Sequence, residues 1–422
     1  MMQEILDFLL QISKLKKMPR TGFVWLGIKD PETIAQHCYR LALMNWILAR
    51  KEKRKFDLEK VIKASLIHDI CEVYAGDMTP YWGLLPKNPK ERLEMLKHYV
   101  RLPKNIKEKR DRIKHLKEKK ALLKLIKGLE PRTKKEIFDY WMEYERMKSR
   151  EGRFVKQGDK VETLLQALEY WGSEPDTPVM GWWEEVGEIV DDPILEEFLD
   201  GLKNSFYGKK KLSGEVDFLL KIGQFKKKPR SGWIIRGVKD PETIVEHAFL
   251  MSMAVWLLGK KKRLNHEKML KMSLAYEICE IYAGDETPYD KITSKENKDE
   301  ALKRWPKMLK KEKERIFLLD YNKEKKALEK LTRNLSPDLG REIIRLWDEC
   351  KRQSTFEGTF VSQVYWLTTY LQALQYYKED NAFPIFAWYE QVRQYIYDPM
   401  LIEFLKLEEK KFLSKKAPIY PA

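Results

Sequence analysis

The stretch "SLIHDICEVYAGDMTPY" (65–81) has a near copy later in the chain, "SLAYEICEIYAGDETPY" (273–289). Both contain the frame Ile-Cys-Glu-x-Tyr-Ala-Gly-Asp, but the pair His68-Asp69 of the first copy is replaced by Tyr-Glu in the second. Apolar residues at helical spacing lead into each frame and a glycine lies near its end, which predicts a helix in both copies. The stretch therefore predicts a duplicated helical fold in which one copy keeps the His-Asp pair.

Longer stretches repeat in the same order on either side of this frame. "DFLLQISKLKKMPRTGFVWLGIKDPETIAQH" (7–37) matches "DFLLKIGQFKKKPRSGWIIRGVKDPETIVEH" (217–247). "GRFVKQGDKVETLLQALEY" (152–170) matches "GTFVSQVYWLTTYLQALQY" (358–376). The offset is 217 − 7 = 210 residues at the first match and 358 − 152 = 206 at the last. A near-constant offset of this size indicates a duplicated domain rather than a solenoid of short repeats.

The repeat divides the chain into a first domain at residues 1–205 and a second at residues 206–422. The polar segment "KNSFYGKKKLSGE" (203–215) is the expected linker. Few stretches alternate with period two, whereas apolar residues recur at helical spacings, so we expect two all-α domains.

Two helix starts can be predicted in the first domain. "DPETIAQHCYRLALMNWILARKEK" predicts a helix capped by Asp30 with Pro31 in its first turn. "DLEKVIKASLIHDICEVYAGD" predicts a second helix that is capped by Asp57 and ends at Gly76.

The chain is basic, with 81 Lys and Arg against 65 Asp and Glu and a formal net charge of +16. A polyanion partner would explain this excess, and so would a solvated Lys/Glu surface of the kind found in hyperthermophile proteins. The basic residues are mixed with Glu and carry no interleaved aromatics, as in "KNIKEKRDRIKHLKEKKALLK" (104–124). This pattern favours the solvated surface, which also suits an anionic substrate, and disfavours a nucleic-acid partner.

The compartment can be predicted from the cysteines and the termini. The four cysteines form no CxxC pair, so we expect no disulfide framework and a reducing cytoplasm. The N-terminus lacks the layout of a signal peptide. No apolar run reaches the ~18 residues that a membrane span needs, so we expect no membrane partner.

Reactive side chains of the first copy gather around the opening stretch. His68 and Asp69 are adjacent, and Glu72 follows one helical turn later on the same face. Asp77 comes just after the break at Gly76. For any one of these residues, a capped helix with a satisfied core histidine is the simpler explanation.

His37 and Asp159 extend the group from two other helical stretches. Their neighbours are apolar, and a buried carboxylate is costly without a partner or a metal. Two imidazoles and two carboxylates suit a divalent transition metal, which would acidify a water and polarise a phosphoryl group. Glu72 would be placed to accept the proton of that water. The joint pattern therefore favours a metal centre over separate structural roles.

The pattern "PETIAQH…HDICEVYAGDMTP…D" resembles the H…HD…D signature of HD-domain phosphohydrolases. The fuller stretches "LKKMPRTGFVW", "LIHDICEVYAGDMTP" and "FVKQGDKVETLLQALEY" are similar to one subgroup, the HD-domain 5′-nucleotidases, which include 5′-deoxynucleotidases. The resemblance covers most of residues 5–200 and, more weakly, most of residues 215–410. It implies compact all-α domains and release of phosphate from a (deoxy)nucleoside 5′-monophosphate.

The resemblance also implies roles for individual residues. One divalent transition metal per chain (Co, Mn, Fe, Ni or Zn) would be held by His37, His68, Asp69 and Asp159. Glu72 would activate the attacking water, and Asp77 beside it would orient the sugar or the nucleophile.

A substrate-binding group follows from the same resemblance. Arg20 lies in the family's basic-aromatic motif and would hold the phosphate. The family's usual Trp is Phe23 here, so the aromatic contact with the nucleoside is altered or falls to Trp25. Lys156 matches a family lysine and is either a phosphate contact or a solvated lysine.

The second copy keeps much of the frame but loses most of the ligand set. Tyr276, Glu277 and Tyr365 replace the second histidine and the two aspartates, and a phenol of pKa ~10 is a poor metal ligand at neutral pH. The tyrosines could instead fill the vacated centre with packed aromatic surface. We therefore expect one active site per chain.

Members of this family tend to be dimers, so the two copies would pack as an internal pseudo-dimer and the chain would be a monomer. Two further hypotheses stay open at this point. In one, the second copy senses a nucleotide without hydrolysing it. In the other, the first copy hydrolyses a phosphodiester or triphosphate, although the "EVYAGD" context favours monophosphates.

Overall fold

The computed structural model describes residues 2–51, 56–79, 81–97, 104–174, 177–208, 213–286 and 310–413. Across these ranges the chain is helical and contains no strand, and β-type pairing is limited to two isolated bridges, Pro19–Thr33 and Pro229–Thr243. The all-α prediction is confirmed. None of the helices in these ranges is both long enough and apolar enough to cross a membrane.

In the described part of the N-terminal half, α1 and a short 3-10 segment are followed by ten further helices. Their bounds are α1 (Met2–Ile12), the 3-10 segment (Ser13–Lys17), α2 (Thr21–Trp25), α3 (Ile34–Ala49), α4 (Leu58–Ile67), α5 (Glu72–Ala75), α6 (Pro89–Lys97), α7 (Lys104–Leu125), α8 (Pro131–Arg146), α9 (Arg150–Trp171), α10 (Val179–Ile189) and α11 (Pro193–Phe206).

The second half repeats this order of helices within the ranges described. Its helices are α12 (Gly214–Phe225), α13 (Ser231–Ile234), α14 (Ile244–Gly259), α15 (His266–Ala275), α16 (Glu280–Ala283), α17 (Lys310–Thr332), α18 (Pro337–Lys351), α19 (Phe356–Glu379), α20 (Ile385–Tyr395) and α21 (Pro399–Phe412).

Two compact units make up the chain. One is Asp7–Lys226, called the N-terminal unit below, and the other combines Met1–Leu6 with Lys227–Ala422, called the C-terminal unit. The helix α12 opens the second sequence repeat, yet it belongs to the N-terminal unit, where it packs against α3, α9 and α11. The domain boundary at residues 205 and 206 stays a proposal about the duplication, because the compact unit continues past it.

The helix α3 lies at the centre of the N-terminal unit. Every one of its residues is buried, and it packs against α4, α9 and α12. A helix that is buried all round belongs in the interior, in contrast to an amphipathic surface helix. A polar side chain on α3 therefore sits deep in the unit and needs a partner there, which applies to His37.

The helix α3 begins later than the sequence predicts. Its N-cap is Thr33 rather than Asp30, because Thr33 accepts a hydrogen bond from the backbone N–H of Gln36, whose side chain accepts one from Thr33 in return. The preceding residues are extended, and the backbone N–H of Arg20 donates to the carbonyl of Glu32 at 2.9 Å. This pairing brings Arg20 beside the start of α3.

The predicted cap at Asp57 is confirmed, but the helix that follows is interrupted. It ends at Ile67, and the chain turns through His68 and Asp69 before α5 begins. The helix α5 ends at Gly76, where φ is +75°, a conformation that glycine adopts without strain. The interruption matters because it places His68 and Asp69 at a bend that points into the unit.

Candidate active site

The four predicted metal ligands converge in the interior of the N-terminal unit. The Nε2 atom of His37 lies 3.1 Å from Nε2 of His68 and 3.1 Å from Oδ1 of Asp159. The Nε2 atom of His68 lies 3.2 Å from Oδ2 of Asp69 and 3.9 Å from Oδ1 of Asp159. Ligand atoms ~2.1 Å from one ion lie roughly 3 Å apart when they subtend a right angle. Ligand atoms of His37, His68 and Asp69 all lie within 4.8 Å of one another, which is close enough to hold a single ion, and Asp159 lies beside the two histidines.

The hydrogen bonds on the far side of each imidazole suit this arrangement. The Nδ1 atom of His68 lies 2.8 Å from the carbonyl oxygen of Ser65, to which it can only donate. The Nδ1 atom of His37 lies 2.5 Å from Oε2 of Glu162. A proton on Nδ1 leaves the lone pair of Nε2 directed at the centre, the tautomer that a metal ligand needs. The donor set therefore fits a divalent ion.

Negative charge accumulates at the centre. Burial raises the pKa of Asp69, but His68 and Arg20 hold it well below its usual range. Burial and Arg20 lower the pKa of His37, whereas Glu162 and Asp159 raise it to about 9. The surroundings of His37 thus favour positive charge between the four predicted ligands, either a proton on the imidazole or a metal ion.

Arg20 and Asp77 lie at the edge of the ligand group. The Nη1 atom of Arg20 donates to Oδ2 of Asp69 at 2.6 Å, and its Nε atom lies 4.0 Å from Oδ2 of Asp77. Asp77 also accepts a hydrogen bond from the backbone N–H of Thr21 at 2.6 Å. The predicted phosphate-binding arginine is therefore next to the predicted ligands, with 15% of its side chain exposed.

Glu72 is buried with 1% of its surface exposed, and neither of its carboxylate oxygens has a hydrogen-bond partner in the described part of the chain. Burial, Asp69 and Asp77 together raise its pKa well above the usual range. An unpaired buried carboxyl is destabilising, so its presence needs a reason beyond packing. A group that exchanges a proton with a substrate or water provides one.

The two predicted aromatic contacts differ in exposure. Phe23 is 2% exposed, and its ring packs against Tyr170 at 5.0 Å and Trp182 at 5.6 Å between centroids. This packing supports a structural role for Phe23. Trp25 is half-buried, with the guanidinium of Arg92 6.0 Å from its ring centre, so it has the exposed surface that a ligand contact requires.

Lys156 is close to the centre but separated from it by Tyr144, which the sequence did not single out. The Nζ atom of Lys156 lies 3.9 Å from the ring centre of Tyr144 and 3.3 Å from Oε1 of Glu145. The hydroxyl of Tyr144 donates to Oδ2 of Asp159 at 2.9 Å. Lys156 thus has a structural partner and also adds positive charge near a predicted ligand.

A small surface pocket begins directly after Asp77. It is largely apolar and is lined by Met78, Thr79, Trp82, Arg110, Asp111, Ile113 and Lys114. Apolar walls with a few polar groups are the usual composition of a small-molecule site.

Comparison with known proteins bears directly on this arrangement. The family model described as HD domain matches two stretches of the chain, residues 12–186 and 222–400. The chain belongs to the HD domain family. The two matched stretches correspond to the two sequence repeats, and the first of them contains the four converging residues.

Several named proteins are similar in sequence to somewhat less than half of this chain. A Dictyostelium discoideum protein named 5′-deoxynucleotidase HDDC2 is 36% identical over 212 residues, 49% of this chain and 92% of that protein. The human protein of the same name is 31% identical over 168 residues, 40% of this chain and 69% of that protein. The Schizosaccharomyces pombe 5′-deoxynucleotidase hdd1 is 29% identical over 199 residues, 46% and 87% respectively. The chain is therefore an enzyme of the HD phosphohydrolase type.

The second HD repeat fills the equivalent position with protein side chains. The rings of Tyr276 and Tyr365 lie 4.8 Å apart, as predicted from the sequence, and the hydroxyl of Tyr365 accepts a hydrogen bond from Arg230 at 2.6 Å. The Nδ1 atom of His247 lies 2.8 Å from Oε2 of Glu277. Arg230 and His247 thus both contact residues that stand in place of the predicted ligands of the first repeat.

The replacement of an aspartate by Glu277 has a measurable consequence for stability. Burial raises the pKa of Glu277 to about 7, against the lowering effect of Arg230 and Lys351. A carboxyl with a raised folded-state pKa adds stability below its unfolded pKa of ~4.3, and this is lost as the pH rises through about 7.

We therefore expect the wild-type chain to lose roughly 2–3 kcal/mol more unfolding free energy between about pH 5 and about pH 8 than the Glu277→Gln variant. Urea denaturation of both proteins at the two pH values measures this difference. Parallel pH profiles would show that Glu277 titrates normally and that the burial argument is wrong.

Proposed function

We propose that this chain is a divalent-metal-dependent phosphomonoesterase that hydrolyses (deoxy)nucleoside 5′-monophosphates to nucleoside and phosphate. The observation that carries the proposal is the convergence of His37, His68, Asp69 and Asp159 beside Glu72, a buried carboxyl without a hydrogen-bond partner. The names of the relatives support the substrate class.

In the proposed reaction, water forms a new P–O bond and the bond between phosphorus and the 5′ oxygen breaks. A bound divalent ion would supply Lewis acidity toward the phosphoryl oxygen and toward the attacking water. Glu72 would take the proton of that water, and its raised pKa suits it to return a proton to the leaving 5′ oxygen. Arg20 would bind the phosphate as a charge-assisted donor.

The nucleoside would lie beside this group. Asp77 is held next to Arg20 by the backbone of Thr21 and would accept a hydrogen bond from the sugar. Trp25 would contact the nucleoside by its exposed face, and the apolar pocket that begins at Met78 would take the base. Lys156 would add positive potential rather than a direct contact, because Tyr144 lies between it and Asp159.

Metal removal is the direct test of the proposal. Chelation should reduce phosphate release from a panel of nucleoside 5′-monophosphates to the level of a control without enzyme. Mn, Co, Fe, Ni or Zn, added back singly, should restore it to different extents, because imidazole and carboxylate ligands accept all of these ions. Lack of turnover with any of them would overturn the proposal, and hydrolysis of phosphodiesters or triphosphates instead would reassign the substrate.

A nucleotide sensor in the second repeat is the competing function. Its support is the retained frame, in which Asp285 accepts a hydrogen bond from the backbone N–H of Ser231 at 2.6 Å, as Asp77 does from Thr21. The side chain of Arg230, however, donates to both Tyr365 and Thr369. A ligand phosphate would have to displace these bonds, so we favour the enzyme. Tight nucleotide binding by a metal-free protein would favour the sensor.

A further inference from the structure

A buried cluster of charges surrounds the far side of His37. Glu162, one helical turn after Asp159 on α9, is at its centre. Its Oε2 atom lies 2.5 Å from Nδ1 of His37, and its Oε1 atom accepts from Nε of Arg40 at 2.5 Å and from Nζ of Lys226 at 2.9 Å. All these side chains are nearly or fully buried. Glu162 therefore fixes the imidazole, and the two cations fix Glu162.

Each of the three N–H donors of the Lys226 ammonium has an acceptor within this cluster. It donates to Glu162, to Oε1 of Gln166 at 2.8 Å and to Oε2 of Glu32, which matches the three donors of a lysine. Oxygen and nitrogen atoms of Glu32, His37 and Glu162 are close enough to hold a metal ion. Lys226 supplies the cation for the two carboxylates, so the ion proposed above belongs on the Nε2 side of His37.

Lys226 comes from the second sequence repeat. It follows α12 directly, and its carbonyl accepts a hydrogen bond from Nε2 of Gln36 on α3 at 2.9 Å. The helix α12 approaches closely at Gly223, where a Cβ atom would lie 1.7 Å from Oε1 of Glu169 and 2.5 Å from Nη1 of Arg40. A larger residue here would force the side chains of Glu169 and Arg40 to move, so the close approach of α12 is coupled to the charged cluster behind His37.

The two repeats differ at this cluster as they differ at the ligands. Arg40, Glu162 and Glu169 align with Leu250, Thr368 and Gln375, all uncharged. The lysine itself is kept in both repeats, as Lys16 and Lys226. Of the two carboxylates that receive Lys226, Glu32 is kept in the second repeat as Glu242, whereas Glu162 is present only in the repeat that has the complete set of predicted ligands.

We propose that Lys226 is a positioning residue for His37, through which the second repeat completes the metal centre of the first. This inference rests on the proposed function. Without Lys226, two buried carboxylates, Glu32 and Glu162, would share too little positive charge, and Glu162 would lose one of the donors that hold it against His37. The imidazole would then be less well oriented, and residues that orient a ligating histidine usually affect metal affinity ~10–100-fold.

The test is the affinity of the full-length protein for Co²⁺, measured by calorimetric titration without substrate and by the visible absorption of the bound ion. Lys226→Met should weaken Co²⁺ binding ~10–100-fold and change the absorption spectrum, whereas Lys226→Arg should largely restore both. Lys16→Met is the matched control, because it removes the repeat-equivalent lysine, and it should bind Co²⁺ as the wild type does. In a Glu162→Gln background, Lys226→Met should have little further effect.

A second variant tests the role of Lys226 if Lys226→Met does not fold. Glu32→Gln combined with Lys226→Met restores the net charge of the cluster, and it should fold with weakened Co²⁺ binding. Wild-type affinity in both Lys226→Met and this double variant would overturn the inference while leaving the proposed function intact. If Co²⁺ affinity falls in Lys226→Met as expected but the wild-type protein hydrolyses no nucleotide, the proposed phosphomonoesterase function alone would be overturned. A wild-type protein that binds no Co²⁺ or other divalent ion would overturn both.

Discussion

Replacement of Asp69 by alanine is expected to abolish both metal binding and phosphate release. Its Oδ2 atom lies 3.2 Å from Nε2 of His68 and accepts a hydrogen bond from Arg20 at 2.6 Å. The substitution therefore removes a predicted ligand and also releases the predicted phosphate-binding arginine. The loss of metal affinity should exceed the ~10–100-fold effect of changes outside the ligand shell. Metal content after dialysis and phosphate release measure the two effects separately.

The duplication supplies the control for this experiment. Glu277 aligns with Asp69, and its Oε2 atom lies 2.8 Å from Nδ1 of His247, the counterpart of His37. Glu277→Ala should leave metal content and phosphate release unchanged, because Tyr276 and Tyr365 occupy the rest of that position. Activity that survives Asp69→Ala, or that disappears with Glu277→Ala, would show that the ligands have been assigned to the wrong residues.

Much of this centre could be predicted from the sequence because the repeat acts as an internal comparison. The helical class follows from the spacing of apolar residues, and His68, Asp69 and Asp159 stand out because one copy keeps them and the other loses them. The residue at which α3 begins was harder to predict from the sequence. Asp30 and Thr33 are both good caps, and the choice depends on the pairing of residues 18–20 with residues 32–34, a tertiary contact.

The residues behind the ligands were harder to predict. Glu162 had a signal, since it lies one turn from Asp159 in an apolar stretch, as a buried partner of a ligand would. Tyr144 had none, because a tyrosine on an amphipathic helix is usually part of the core. The burial of Lys226 could not be predicted from the sequence, for a different reason. A lysine in a run of lysines is normally solvated, and only the packing of α12 on α3 buries this one.

Replacement of Glu72 by glutamine is expected to separate chemistry from metal binding. Glutamine has nearly the same size but cannot accept the proton of a water, and removal of a general base costs ~10²–10⁴-fold in rate. The loss should fall on kcat, with KM and Co²⁺ affinity close to those of the wild type, because neither oxygen of Glu72 bonds to a predicted ligand. Steady-state kinetics on the metal-loaded protein and a metal titration test this.

The same substitution should not destabilise the protein, which distinguishes loss of function from loss of fold. Burial raises the pKa of Glu72 well above its usual range, so at neutral pH the carboxyl opposes folding and its amide replacement should raise the thermal midpoint or leave it unchanged. Glu280, the counterpart in the second repeat, is also buried with a raised pKa. Glu280→Gln should give the same stability response with full activity. A Glu72→Gln variant that keeps its rate would contradict the general-base role. Loss of activity in Glu72→Gln alone, with the same stability response in both variants, would separate the catalytic role of Glu72 from its effect on the fold.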